Sequence, residues 1–289
     1  MIDSQTTYSS KARSQPLRLT LFAAASLLLA GPVDAHQLWI ETAPTSTPRQ
    51  SHKIEVCWGH SGERATGESL KGQRAKLTAL VLKPDGSRVD LECSQRDDCF
   101  AATTTPEAPG YYAFGSELQT GIIPRPLHDI PANTRIVMYG KTLTHVVGSE
   151  EGLANALGFD LEIVPLTVFG ELRKGGVVRA KLLFQGKPLG GRNVEISLGT
   201  AGPDPFPQHR RIQSHEWTID AIPDPYTGEV AFPLIADGKY AFTIRYFDET
   251  PGTYAGPRDD HSDFSHLRKG DTFERTMYVS TLTFEVSND

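Results

Sequence analysis

The chain has 289 residues, formal net charge −6, 26 Gly, 20 Pro and three Cys. That length suits one large β-domain or two modest ones. An acidic balance without a Lys/Arg run argues against a nucleic-acid partner.

The first segment reads as an export address. Lys11, Arg13 and Arg18 form a positive region, and Leu19 to Ala30 an apolar one too short to span a bilayer comfortably. Val33 and Ala35 supply the small residues of a signal-peptidase site, so residues 1–35 are expected to be removed. No later apolar run reaches membrane-spanning length, and the mature product is expected to be periplasmic and not membrane-embedded.

Cutting after Ala35 makes His36 the first residue. Its α-amine and imidazole Nδ1 could then close a chelate ring that an internal histidine cannot form. Nickel, cobalt, copper and zinc ions all accept such nitrogen donors. A processing site that simply falls before a histidine satisfies the same pattern.

Short alternating runs separated by Pro and Gly predict an all-β chain. Gln37 to Glu41, His52 to Trp58, Ala75 to Leu82, Arg88 to Glu92, Cys99 to Thr104, Tyr111 to Phe114 and Arg135 to His145 are the expected strands of a first domain, residues 36–148. Glu150 to Leu157 reads as a short helix at the join. Val177 to Phe184, Asn193 to Leu198, Glu216 to Ile219, Glu229 to Phe232, Tyr240 to Phe247 and Met277 to Val286 supply a second, residues 149–289. Strands at this spacing predict two immunoglobulin-like β-sandwich domains after the cleaved signal peptide.

In an oxidising compartment Cys93 and Cys99, which flank a five-residue polar turn, are expected to form a disulfide. Cys57 is left as a small buried hydrophobe.

Among the nine histidines, His36, His60 and His145 stand at strand ends that could converge on one rim of the first domain as metal ligands. Strand-capping histidines that bind nothing fit the same placement. His52 would lie at the far end of the strand that ends at His60. Asp259, Asp260, His261, Asp263 and His266 form a second cluster, readable either as a chelating group or as a polar loop, whereas His209 and His215 read as solvated residues. No serine-nucleophile elbow, His-Glu-x-x-His helix or phosphate-cradling glycine loop is present, so no enzyme is expected.

The start Ala35-His36-x-Leu38-Trp39, Gly59-His60 after an early strand, Leu161-Glu162-Ile163-Val164-Pro165, Leu183-Phe184-x-Gly186-Lys187-Pro188-Leu189-x-Gly191 and Thr281-Leu282-Thr283-Phe284 carry a resemblance over most of the mature chain. They resemble exported bacterial proteins that carry a domain of unknown function and are labelled as the periplasmic component of a cobalt or nickel transport system. The resemblance implies a nickel- or cobalt-binding accessory protein that delivers metal to a membrane transporter, with histidines near the mature start as ligands. The segment Asp248 to Asp271 departs from that pattern. The other function the residues allow is a metal-free structural or adhesive module that uses sheet faces or edges.

Overall fold

The computed structural model describes residues 36–60, 63–127, 129–191, 194–199, 222–234, 237–256, 260–261 and 265–286. The expected signal segment, the strand Glu216 to Ile219, and His209 and His215 lie outside these residues. Strands of four residues or more are β1 Gln37–Thr42, β2 His52–His60, β3 Leu77–Leu82, β4 Arg88–Leu91, β5 Phe100–Thr104, β6 Gly110–Ile123 and β7 Thr134–Val146. They continue as β8 Leu161–Pro165, β9 Val177–Phe184, β10 Val194–Gly199, β11 Glu229–Pro233, β12 Gly238–Asp248 and β13 Arg275–Val286.

Three layers of sheet result. The central sheet runs β10-β12-β13-β7-β6-β3-β4, antiparallel except that β7 and β13 pair in parallel. A small sheet of β1, β2 and β5 covers one face, and an outer sheet of β8, β9 and β11 covers the other. Side chains alternate across a strand, so a sheet covered twice must be apolar on both parities. On β6, Tyr111 and Ala113 enter the core beneath the outer sheet, while Tyr112 and Phe114 enter the core beneath the small sheet. On β7, Val137 and Tyr139 face the first core, and Ile136 and Met138 the second. The covering strands need only one apolar parity: Val178, Ala180 and Leu182 of β9 are buried, whereas Val177 is half exposed. Complete burial of side chains such as Leu38, Ile40, Leu161 and Ile163 stabilises by about 1.5–3 kcal/mol each.

The all-β expectation holds, but the division at 148/149 does not separate two sheets. β7, from the first half, is paired along Thr134–Thr142 with Arg275–Thr283 of β13, from the second. Residues 34–289 form one compact unit.

The expected helix Glu150 to Leu157 is a turn. Gly152 sits at φ +88°, where a Cβ would lie 2.5 Å from the Tyr111 carbonyl, and the amides of Leu157 and Gly158 donate to the Glu162 carboxylate rather than to a helical ladder. A five-residue helix, Gly67–Lys71, forms instead between β2 and β3, and it buries Leu70. Five residues are too few to show a helical period in sequence.

The late segment is not a plain insertion loop. Gly252–Thr253 pairs with Thr272–Phe273, Asp260–His261 with His266–Leu267, and His266 with Ile122 of β6.

β1 carries the candidate site because it lies flat on the central sheet. Gly140 of β7 lacks a Cβ where one would sit 3.2 Å from the Leu38 carbonyl oxygen and the Trp39 Cα. The Thr283 hydroxyl donates to the Ile40 carbonyl at 2.5 Å, and the Thr144 hydroxyl to that of Ala43 at 2.9 Å.

Candidate functional site

β1 and β2 are antiparallel, with Gln37 opposite Gly59 and Thr42 opposite Ile54. The residues one step beyond the first pair are His36 and His60, so the register brings both histidine backbones to one end of the small sheet. Facing antiparallel residues have Cα atoms about 4.5–5.5 Å apart. At the same end, the other edge of β2 pairs Gly59 with Arg64 and His60 with Glu63. The His36 ring stacks on Trp58, with centroids 4.3 Å apart and planes 12° apart.

His145 does not join this pair. Its backbone amide donates to the Pro44 carbonyl at 2.9 Å, its Nε2 lies 3.0 Å from the Ser149 carbonyl oxygen, and its ring stacks on Tyr111 at 4.5 Å. These partners belong to the Thr42 end of β1, about 17 Å of extended strand from the Gln37 end. The expectation of three converging strand ends is corrected to two.

His52 is also at the far end. It is buried, with Nε2 2.6 Å from the Thr42 hydroxyl and 3.0 Å from that of Thr144, and burial pushes its pKa below the usual imidazole value. In the late segment, the His266 Nδ1 faces the Asp271 carboxylate at 2.6 Å, and that carboxylate also accepts the Arg268 amide at 2.7 Å. That contact closes a turn. Among the described residues, no three His, Cys, Asp or Glu side chains converge as a metal-holding group.

On the small-sheet face that carries Trp39 and Cys57 lies a charged network that sequence reasoning missed. One Arg64 nitrogen, Nη2, donates to Glu55 at 2.9 Å and lies 3.1 Å from Glu41, while Nη1 donates to Asp98 at 3.1 Å. Trp39 Nε1 donates to Glu41 at 3.1 Å, and Lys239 to the other Glu41 oxygen at 2.9 Å. Burial would raise the Glu41 pKa, but the Trp39 and Lys239 hydrogen bonds and the two nearby cations outweigh it and hold the carboxyl below its ordinary value. The contributing residues come from five separate segments, and only the sheet register joins them. The one signal in sequence was that Glu41 and Glu55 share the parity of the positions facing away from Leu38 and Val56.

Cys57 is fully buried, and burial drives its thiol far above the ordinary range. Cys93 and Cys99 are free thiols, contrary to the expected disulfide. They lie on opposite sides of the small sheet: Cys93 packs against the core beneath it, and Cys99 against Trp39, Cys57 and Ala241. Two cysteines across one turn cannot bond when their side chains leave opposite faces.

The chain belongs to the DUF4198 family, described as a domain of unknown function, which matches residues 33–248. The match opens three residues before His36 and closes on the last residue of β12. No protein of curated function matches the chain.

Proposed function

With that family membership as the starting point, we propose that the chain is an exported accessory protein that binds a divalent transition-metal ion, nickel or cobalt, and passes it to a membrane uptake system. The observation that supports this reading is the β1–β2 register, which puts His36 and His60 at neighbouring strand ends. After cleavage following Ala35, His36 contributes its α-amine and Nδ1, and His60 a third nitrogen. Nitrogen donors of this kind suit nickel, cobalt, copper and zinc, and copper should bind most tightly in a test tube whatever the physiological ion. Three protein ligands leave coordination positions open, which favours handing the ion on over burying it. Among the described residues, no helix is long and apolar enough to cross a membrane.

The test compares a form that begins at His36 with one that carries a single extra residue before it, each titrated calorimetrically with Ni²⁺, Co²⁺, Cu²⁺ and Zn²⁺. The extended form keeps every imidazole but loses the amine chelate, and should bind at least about tenfold more weakly, a difference of ~1.4 kcal/mol. His60→Ala should weaken both forms. Equal affinities would remove the terminus from the site, and no stoichiometric binding of any ion would favour a structural or adhesive module.

A further inference from the structure

We propose that Cys57 and Cys99 form a disulfide that ties β2 to β5 when the chain folds in an oxidising environment. The ladder between these strands runs from His52 opposite Thr104 to Val56 opposite Phe100. One further step sets Cys57 opposite Cys99. The Arg96 amide donates to the Cys99 carbonyl at 2.8 Å and closes the turn that delivers Cys99 to β5. The two side chains lie on the same face of the small sheet, packed together with Trp39 and Ala241. Facing antiparallel residues have Cα separations of about 4.5–5.5 Å, inside the ~4.4–6.8 Å span that a disulfide bridges. Cys93, on the opposite face, is the odd thiol.

The structure holds the dithiol form. With oxidised glutathione as oxidant, one cysteine thiolate attacks a glutathione sulfur, forms a mixed disulfide and releases one glutathione thiolate. The second cysteine thiolate then attacks the protein sulfur of that mixed disulfide and releases the other glutathione. Two protein thiols are oxidised, one glutathione disulfide is reduced to two thiols, and the two cysteine protons pass to the departing glutathione thiolates. Burial raises the Cys99 thiol to about 11 and that of Cys57 further, so the folded dithiol reacts slowly. The bond therefore forms while the strands are still pairing and solvent reaches both sulfurs. This inference is independent of any metal at His36.

The test refolds the full chain from denaturant in a buffer of reduced and oxidised glutathione, blocks remaining thiols, and maps tryptic peptides without reduction. Trypsin puts each cysteine on its own peptide: 54–64 for Cys57, 89–96 for Cys93 and 97–135 for Cys99. The expected result is one blocked thiol, on Cys93, and a 54–64 peptide crosslinked to 97–135, unchanged in a Cys93→Ser variant. Three blocked thiols, a crosslink between 89–96 and 97–135, or only intermolecular crosslinks would overturn the proposal.

Discussion

The Lys141 ammonium donates to the Glu162 carboxylate at 2.6 Å, and the two side chains are 1% and 2% exposed. The pair links β7 of the central sheet to β8 of the outer sheet. Lys141 also donates to the Asn155 carbonyl, and Glu162 accepts the amides of Leu157 and Gly158, so the turn after β7 is fastened to the same two charges.

Removing one partner strands the other charge in the interior. Lys141→Met is expected to cost about 3–5 kcal/mol, because the Glu162 carboxylate stays buried without its cation. Adding Glu162→Gln, which neutralises the carboxylate but keeps an acceptor for one of the two amides, should recover part of that loss. Urea unfolding of the two variants checks this; a cost below about 1 kcal/mol for the single variant would mean that water or a rearrangement rescues the carboxylate.

The Arg64 network sets an acid limit on stability. Glu41 and Glu55 are both held below their ordinary value of 4.5 in the folded chain, so the stability they contribute is present above that value and is lost as pH falls through their folded values. Urea midpoints taken at pH ~7 and pH ~3.5 should fall less for Glu41→Gln than for the unchanged chain. Identical acid losses would leave the network without a role in acid stability.

Metal binding at the proposed site has an optical reporter. Because the His36 ring stacks on Trp58, Cu²⁺ or Ni²⁺ bound there should quench indole emission, whereas Zn²⁺, with a filled d shell, should not. Trp58→Phe should abolish the quenching and leave calorimetric binding in place. His145→Ala should leave affinity unchanged, since that ring is engaged with Tyr111 and Ser149 at the other end of β1. A tenfold loss in His145→Ala would return that residue to the site.

The family match ends at Asp248, but the fold does not. β13, outside the match, separates β7 from β12 and supplies Met277 and Val279 to one core and Tyr278, Leu282 and Phe284 to the other. A fragment of residues 33–248 is expected to lack a cooperative unfolding transition and to bind a dye that reports exposed apolar surface. A sharp transition in that fragment would show that β7 and β12 can manage without the strand between them.

Strand positions could be read from sequence because their signals are local. Arg135 to His145 was expected and Thr134–Val146 is found, and Val177 to Phe184 agrees at both ends. Strand partners could not, since alternation identifies a face and not the neighbour that covers it. Thus β7 was expected to close a first domain and instead pairs with β13. The same limit governed the site: His36 and His60 sit at ends of two paired strands, while His145 ends a strand that passes under the opposite end of β1. The Cys93–Cys99 expectation weighed loop length alone, when the face on which each side chain leaves the sheet decides the matter.

The place of β13 also orders events in time. Thr142 and Thr283 are in register although 141 residues separate them, and closing so long a loop costs about 4 kcal/mol of chain entropy before any contact repays it. A chain made from its N-terminus therefore carries β7 and β12 with open edges until Arg275–Val286 has been synthesised. During that interval each edge is a template for pairing with another copy. Non-local pairing of this kind places folding toward the slow, millisecond-to-second end of the range for β proteins. Aggregation of nascent chains should accordingly respond more to substitutions that delay β13 than to equally destabilising ones in β1.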